Sequence, residues 1–312
     1  MATNARDIQF ATRYDRVLDQ IFTLDSVTDR YVNSKYSFKE GGGTASIYVR
    51  TVDTTGSIKP YDPTDMTDSY GGRQAVPSTL KNYLIQYNIG LKSSIDEIDL
   101  NDTAGQMEAG RVLTLITKEQ YVPLVDMDRF ATATEVAEGW GGENVVTFDP
   151  DHGYENVLDA RMPLIKAKSN VKNQVLFVDE VLYKAIKKDL VTFMVPQKND
   201  KIITSEPIGL LDGIPTVLVP STYFCTRTVE GTAPNAAPTF DGVNTGVHGV
   251  LWDSEVLLGA RKLRNIRTKM DSEFFDGALL LGHFRFGNYV LDANGNKKAV
   301  SVIKEATTTP TP

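Results

Sequence analysis

An acidic cluster is the first feature of the sequence that could carry chemistry. The stretch IDEIDLND, residues 95–102, holds the four carboxylates Asp96, Glu97, Asp99 and Asp102. Such density suggests a metal site or the acid and base of a hydrolase. A calcium loop needs a central glycine and a final glutamate, and both are missing here. Helix-capping residue types follow at 101–103, where acidic side chains are also favourable. We interpret the cluster as a strand-to-helix junction, with a carboxylate metal enzyme as the weaker alternative.

The rest of the sequence lacks residue patterns typical of catalysis or cofactor binding. His152, His248 and His283 are far apart and lack the spacing of metal ligands. The glycine-rich stretch at 39–46 leads into a predicted strand, whereas a phosphate cradle requires a helix N-terminus. Cys225 follows an apolar strand, where a buried thiol is more typical than a nucleophile. We predict no catalytic residue, no metal and no cofactor, and therefore no enzyme.

Composition and charge define the class of protein. The 312 residues carry a net charge of −7, with 41% hydrophobic residues, 23% charged residues and a single cysteine. These values are typical of a soluble globular protein without disulfides. The N-terminus lacks the apolar run of a signal peptide, and no stretch approaches the roughly 20 apolar residues of a membrane helix. The five basic residues at 261–269 lack interleaved aromatics, which favours a solvated or subunit-contacting face over nucleic-acid binding.

Two predicted strands form an arm. Residues 44–52 are rich in β-branched types, and residues 80–94 alternate apolar and polar side chains. The apolar set of the second strand is Tyr83, Ile85, Tyr87, Ile89 and Leu91. Between the strands lie 25 residues, 53–77, with three prolines and little apolar content, and this segment is longer than an ordinary loop in a compact domain. We predict a projecting hairpin whose apolar face needs a partner.

Further elements follow the arm. Helical spacing predicts a long helix over 104–139 with a kink at Pro123. A helix over 154–168, a buried strand over 174–178 leading into a helix, and strands over 216–219 and 247–253 are also predicted. Residues 254–263 are predicted to be helical, and residues 226–246 to be a polar loop. The final segment predicts strands joined by an Asn294-Gly295 hairpin turn and a disordered tail at 307–312.

The order of these elements resembles the major capsid protein of tailed bacteriophages, with the Hong Kong-type capsid fold. FKEGGG and IYVRTV, followed by YNIGLKSSIDEIDLND, resemble the extended hairpin loop (E-loop) of that family. YVPLVDMDRFATATEVAEG resembles the end of its spine helix, where many members read proline, two residues, aspartate and then arginine. NQVLFVDEVLYKAIKK and LLDGIPTVLVPSTYF resemble its axial domain, and EFFDGALLLGHFRFGNYV the return into its peripheral domain.

The resemblance implies an α+β fold with defined parts. These would be an N-terminal arm (1–36), the E-loop (37–100), a peripheral domain containing the spine helix (104–169 with 270–306), an axial domain (170–269) and a disordered tail (307–312). The hairpin would lie across a neighbouring subunit. Its contacting residues would be Lys59, Tyr61, Tyr83, Ile85, Tyr87, Ile89 and Leu91.

The resemblance also implies a function and partners. The chain would assemble with itself as pentamers and hexamers, in the host bacterial cytoplasm, into the icosahedral head shell of a virion. Scaffolding, portal and decoration proteins are further implied partners, with packaged double-stranded DNA bound without sequence specificity and no membrane. An encapsulin-like nanocompartment, which shares the fold but encloses protein cargo, is the alternative.

Some members of this family join their subunits covalently, through a lysine in the hairpin and an asparagine at the start of the terminal strands. Lys59 lies near the hairpin tip, but the acceptor stretch FFDGALLL, around Asp276 and Gly277, contains no asparagine. We therefore predict that this chain does not cross-link.

Overall fold

A computed structural model describes most of the chain. It covers residues 25–33, 35, 39–41, 44–52, 61, 63–64, 78–96, 109–193, 209–230, 237–244, 246–272, 275–291 and 298–306. Lys59, the carboxylates after Asp96 in the acidic cluster, the Asn294-Gly295 turn and the tail at 307–312 lie outside the described residues. Within the described residues, no helix is long and apolar enough to cross a membrane.

The four α-helices lie in the middle of the described chain, between a first and a last run of strands. The strands are β1 (Lys39–Gly41), β2 (Thr44–Val52), β3 (Ser78–Leu84), β4 (Tyr87–Asp96), β5 (Val145–Thr147), β6 (Gln174–Val178), β7 (Gly209–Leu211), β8 (Ile214–Leu218), β9 (Cys225–Glu230), β10 (Ala237–Asn244), β11 (Val247–Asp253), β12 (Leu257–Ser272), β13 (Phe275–Val290) and β14 (Val300–Lys304). The helices are α1 (Ala109–Ile116), α2 (Val122–Trp140), α3 (Gly153–Lys166) and α4 (Glu180–Phe193). The predicted α+β class is confirmed.

A six-stranded mixed sheet forms the main core, in the order β5-β14-β11-β6-β8-β7. Every residue of β6 and of β11 is buried, which explains why these strands are continuous apolar runs rather than alternating ones. Phe130 of α2, Phe177 of β6 and Trp252 of β11 form an aromatic cluster at the centre. The strand predicted at 174–178 and the helix predicted after it are present as β6 and α4. The Asp179 carboxylate accepts a 2.7 Å hydrogen bond from the Leu182 amide and caps α4.

The last strand lies in the central sheet, and the predicted domain boundaries stay a prediction. Residues 270–306 were assigned to the peripheral domain, but β14 lies between β5 and β11 in the central sheet. It pairs antiparallel with β11 and parallel with β5, and β13 is not its neighbour. The central sheet therefore combines both predicted domains, and β13 and β14 do not form the predicted hairpin. Val300, Ser301 and Val302 are fully buried, which agrees with the position of β14 between two strands.

A long three-stranded antiparallel sheet, β12-β13-β4, forms the second body of structure. Strand β12 spans residues 257–272, so the helix predicted over 254–263 is wrong. Its partner β13 pairs with it from Leu257 to Ser272, and this long-range pairing overrides a local helical pattern.

A second correction concerns residues 226–246. The predicted polar loop contains the antiparallel hairpin β9–β10. Thr228 and Thr239 pair across it, with their hydroxyl oxygens 2.7 Å apart, and β-branched threonines favour such a pleated surface.

The predicted long helix is found over residues 109–140, and the kink at Pro123 stays a prediction. Helices α1 and α2 are joined by a π-helical turn, Thr117–Tyr121, which ends two residues before Pro123. At the junction the Val122 amide donates to the Thr117 carbonyl, five residues back. Proline has no amide hydrogen to donate, and π turns and prolines are the usual causes of a change in helix direction. We call α1, the π turn and α2 together the spine helix.

The arm differs from prediction in one respect. Strand β2 matches the predicted 44–52, and β2 and β3 form the hairpin, to which β1 adds an edge. The second predicted strand is divided, because β3 ends at Leu84 and β4 begins at Tyr87 in the long sheet. Residues Ile85 and Gln86 connect the two sheets.

Candidate functional site

The acidic cluster has only its first members in the described structure. Asp96 is the last residue of β4, with Gly277 of β13 opposite it. Among the residues that the structure describes, no group of three or more histidine, cysteine, aspartate or glutamate side chains could hold a metal ion. The interpretation of the cluster as a junction stays a prediction.

The histidines are in three unrelated environments. His152 is exposed and bonded to Asp149, and His283 lies on β13. His248 is buried between two carboxylates, with Nδ1 2.7 Å from Asp179 and Nε2 3.2 Å from Glu305. Burial alone would lower the pKa of His248, but these carboxylates outweigh it and raise the pKa above the ordinary 6.5. His248 therefore links Glu305, just after β14, to Asp179, just before α4.

The five apolar residues predicted to face a neighbouring subunit pack within their own chain. Ile85 is 4% exposed and lies in a cluster with Ile47, Val49 and residues of β12. Tyr87 is 3% exposed and lies against the spine helix and β13, with Ile89 and Leu91 packed beside it. Tyr83 is half-buried against Tyr289, with ring centroids 5.1 Å apart. Because the strand passes from the hairpin into the long sheet, both halves of this face are covered by the same chain. A role of these residues in a subunit contact stays a prediction.

The opposite face of the hairpin is the exposed apolar one. It carries Tyr48, Val52, Leu80 and Leu84, which are 40–56% exposed. Leu84 lies between Tyr83 and Ile85 of the predicted apolar set, and its side chain therefore belongs to the opposite face. Tyr61, also a predicted contact residue, is 61% exposed. We call the first four residues the outer hairpin face.

The N-terminal arm is docked on the spine helix by a buried carboxylate. Asp126 accepts hydrogen bonds from the Ser26 hydroxyl (2.7 Å), the Val27 amide (3.0 Å) and the Thr28 hydroxyl. Arg129, one turn further along, contacts Asp126 at 3.6 Å and Asp29 at 3.2 Å. Burial raises the pKa of Asp126, opposed by these donors. Residues 25–33 are thus held by charged groups that are themselves buried.

Two arginines, Arg129 of α2 and Arg261 of β12, complete the attachment of the N-terminal arm, because both contact Asp29. Burial of Asp29 would raise its pKa, but Arg129 and Arg261 outweigh that effect and lower it. The indole of Trp252 donates to the Tyr31 carbonyl at 2.9 Å, and the Asn33 amide donates to the Leu257 carbonyl at 2.8 Å. The arm therefore connects the spine helix with both sheets.

A second buried carboxylate joins the spine helix to the β9–β10 hairpin. Asp128 accepts hydrogen bonds from Arg227 of β9 (2.8 Å) and from Asn288 of β13 (2.6 Å). Arg227 also forms an ion pair with Glu135, which lies two turns beyond Asp128 on α2. Burial raises the pKa of Asp128, and the same carboxylate adds to the burial that raises the pKa of Tyr87.

The sequence analysis missed this network. Asp126 and Arg129 lie in the stretch that carried the family resemblance, but their partners are distant in sequence. Asp126, Asp128 and Arg129 are 0–1% exposed and interrupt the apolar side chains that α2 buries. That interruption is the sequence pattern that indicates buried ionic partners, since such charges are rarely buried unpaired.

The whole arrangement can be compared with known proteins. No protein-family model matches the sequence, and no curated protein matches it either. The solved structure from Microbacterium phage Oxtober96 superposes with a TM-score of 0.59 at 12% identity, covering 90% of this chain and 91% of that chain. The capsid structure of Staphylococcus phage Andhra gives 0.53 at 12% identity, covering 86% and 82%. The capsid structure of the Cyanophage P-SCSP1u gives 0.52 at 12% identity, covering 86% and 85%.

The chain has the phage capsid fold. These matches cover 86–90% of this chain, so the fold expected from the sequence resemblance is confirmed. In this capsid fold the spine helix is the element on which the described part of the N-terminal arm, the long sheet and the β9–β10 hairpin converge through Asp126, Arg129 and Asp128. The residues with buried charge have a structural role here: they position elements relative to one another.

Proposed function

We propose that this chain is the major capsid protein of a tailed bacteriophage, which self-assembles into the icosahedral head shell around double-stranded DNA. The observation that carries the proposal is the superposition on phage capsid structures over nearly the full length of both chains. A structural protein needs precisely positioned surfaces rather than a catalytic centre. The network on the spine helix supplies that positioning.

Self-assembly into pentamers and hexamers would place the protein in the virion, after assembly in the host cytoplasm. Scaffolding, portal and decoration proteins are its proposed partners. DNA would be enclosed without sequence-specific contacts, since the net charge of −7 opposes tight general binding of a polyanion. The comparisons do not favour the encapsulin-like alternative over the head shell.

The hairpin is the proposed assembly arm, through a different face from the one predicted. Tyr48, Val52, Leu80 and Leu84 expose apolar surface on an element that extends beyond its contacts with the long sheet. Burying one such side chain contributes roughly 1.5–3 kcal/mol before ordering costs. The four could therefore hold a neighbouring subunit, with Lys59 and Tyr61 nearer the tip.

Deletion of the hairpin tip tests the proposal. Residues 55–75 are replaced by a short Gly-Ser turn, and particles are counted by sedimentation and electron microscopy beside the intact chain. We expect the intact chain to form closed shells, and the deletion variant to remain soluble, melt cooperatively and form none. If the intact chain forms no shells under any assembly condition, the proposed role of the chain is contradicted. If the deletion variant forms normal shells, the proposed role of the arm is contradicted.

The outer hairpin face has its own test. Leu80→Ser with Leu84→Ser removes two exposed apolar side chains, and we expect fewer shells without loss of thermal stability. The matched control is Met162→Ser with Ile165→Ser, which removes two apolar side chains of similar exposure from α3. Equal assembly by the first variant and the intact chain would exclude this face as a subunit contact.

A further inference from the structure

A buried histidine lies between two carboxylates at the end of the central sheet where β6 and β14 finish and β11 begins. His248 of β11 is 5% exposed. Its Nδ1 is 2.7 Å from a carboxylate oxygen of Asp179, and its Nε2 is 3.2 Å from one of Glu305. The ring of Phe148 packs against the imidazole, with ring centroids 4.2 Å apart. Each imidazole nitrogen is therefore within hydrogen-bond distance of a carboxylate, at a site with little access to water.

The number of N–H donors on the imidazole decides how many of these contacts can exist. A charged imidazole has two N–H groups, and a neutral imidazole has one. Charged His248 can donate to both carboxylates at once. In neutral His248 one nitrogen presents a lone pair to an ionised carboxylate, which has no proton to donate. One of the two contacts is therefore lost when the imidazole loses its charge.

Asp179 is the partner that stays. It is fully buried, and its carboxylate also accepts the hydrogen bond from the Leu182 amide that caps α4. Its backbone amide donates to the His248 carbonyl at 2.9 Å, so the main chain also holds the two residues together. Moving this carboxylate would leave the end of α4 uncapped and a buried charge unpaired, and both are costly.

Glu305 is the partner that can leave. Its side chain is 65% exposed, so water can replace the imidazole as its hydrogen-bond donor. Its contact with His248 is also the longer of the two, at 3.2 Å. Glu180 is the other acidic group nearby, but its two carboxylate oxygens accept hydrogen bonds from the amide and the hydroxyl of Ser221. Glu180 is thus already bonded and does not take the place of Glu305.

Glu305 connects the end of β14 to the start of β11. It follows Lys304, the last residue of β14, and its amide donates to the Gly246 carbonyl at 2.8 Å. Its side chain lies over Gly246, where an added Cβ would be 3.3 Å from the Cβ of Glu305. Gly246 directly precedes β11 and has a φ of 74°, which favours glycine. The contact with His248 therefore helps to fix the direction in which the chain leaves β14.

We propose that His248 is a pH-sensitive latch for the segment that follows β14: the charged imidazole holds Glu305 on the sheet, and the neutral imidazole keeps Asp179 and releases Glu305. The two carboxylates outweigh the effect of burial and raise the pKa of His248 above 6.5. The latch is therefore closed below pH 6.5 and opens as the pH rises through the pKa of the folded chain. It operates within a single chain and does not depend on assembly.

Hydrogen exchange of the unassembled full chain tests this inference. The readout is the protection of the Glu305 amide, corrected for the intrinsic exchange rate at each pH between about pH 5 and about pH 9. The Asp253 amide, which donates to the Ala299 carbonyl at the other end of β11, is the internal reference. Since the sequence has three histidines, the titration of His248 can be followed separately by NMR of its ring protons.

In the intact chain we expect protection of the Glu305 amide to fall as His248 loses its proton, while protection of the Asp253 amide stays constant. Glu305→Ala should lack this protection at every pH, and its His248 should titrate at a lower pH, because each group stabilises the other reciprocally. Each pH unit of that difference should correspond to about a tenfold loss of protection in the intact chain.

Glu305→Gln is the variant that separates a latch from general loosening. Its side-chain amide can accept from the charged imidazole and donate to the neutral one, while Nδ1 of His248 still donates to Asp179. We therefore expect its protection at residue 305 to persist across the whole pH range. His152→Gln is the matched control, because this exposed imidazole is bonded to Asp149 and should leave both readouts unchanged.

Four outcomes would overturn the inference. The first is constant protection of the Glu305 amide through the titration of the intact chain, which is decisive even if a variant fails to fold. The second is the same pH profile in Glu305→Gln as in the intact chain. The third is an unchanged titration of His248 in Glu305→Ala. The fourth is loss of protection at the Leu182 amide instead, which would make Asp179 the partner that is released.

Discussion

Arg227, on the first strand of the β9–β10 hairpin, donates a 2.8 Å hydrogen bond from Nη1 to Oδ1 of Asp128, which is fully buried on the spine helix. Only 11% of the Arg227 side chain is exposed, so the pair is largely removed from solvent. Asn288 of the long sheet donates to the other oxygen of the same carboxylate. One buried carboxylate thus fixes three elements at one point.

Arg227→Leu should therefore be costly. Removing one partner of a buried pair leaves an uncompensated charge, and we expect the free energy of unfolding to fall by about 3–5 kcal/mol. Urea unfolding of the unassembled subunit measures it. The control, Lys166→Leu, removes an exposed ion pair with Glu143 and should cost less than about 1 kcal/mol. Adding Asp128→Asn to Arg227→Leu removes the uncompensated charge and should recover part of the lost free energy of unfolding. Equal losses for Arg227→Leu and Lys166→Leu would contradict the prediction.

Asp126→Ala should detach the N-terminal arm. The substitution leaves the hydroxyls of Ser26 and Thr28 and the guanidinium of Arg129 without this carboxylate, at a cost of about 3 kcal/mol or more. Hydrogen exchange at the amides of residues 25–33 should accelerate before the rest of the protein unfolds. Glu138→Ala on the same helix removes only a solvent-accessible pair with Lys304 and serves as the control. Unchanged exchange in the arm of the Asp126 variant would show that other contacts hold it.

Stability should depend on pH through His248. Its pKa is raised above 6.5 in the folded chain, so the charged form stabilises the fold. This contribution is fully present below pH 6.5 and is lost as the pH rises through the folded pKa. The groups facing the imidazole are Asp179, Glu305 and the ring of Phe148, with Glu180 nearby.

The expected result is a melting temperature that declines above pH 6.5 in the intact chain and declines less in His248→Gln. His152→Gln is the matched control, because that imidazole is exposed and paired with a single carboxylate. Parallel pH profiles for the intact chain and His248→Gln would contradict the assignment.

Shells should dissociate into single chains when boiled in denaturant. The stretch that would supply the acceptor asparagine reads FFDGALLL, and its Gly277 lies opposite Asp96 on β4. A lysine such as Lys59 would then lack an amide to attack. A denaturing gel of purified particles checks this, and a ladder of covalent multimers would refute it.

The sequence was sufficient to predict those elements whose conformation depends on the local residue pattern rather than on a distant partner. Strands β6 and β11 are continuous apolar runs, and the spine helix has apolar residues at helical spacing, so local patterns were sufficient. The prediction failed at β12, where the partner strand β13 determines the conformation. It also failed at β9 and β10, where two polar segments stabilise each other.

The functional surfaces were less predictable for the same reason. The alternation of Tyr83 to Leu91 was correct, but it did not reveal which side of the strand the chain itself would cover. Asp126 meets its partners in the arm about 100 residues away in sequence, and Asp128 meets Asn288 160 residues away. No local pattern encodes such pairs, since they depend on how the sheets and the helix come together.

The position of β14 determines when a newly synthesised chain can complete its central sheet. The ribosome makes β5 first, then β11, and β14 only after both, yet β14 is the strand that lies between them. Until residues 300–304 emerge, β5 has no neighbour in the sheet and β11 has one open edge. Because domains fold as units during synthesis, a partly translated chain cannot close this core. Recruitment into larger structures is thereby restricted to subunits whose translation has passed residue 304.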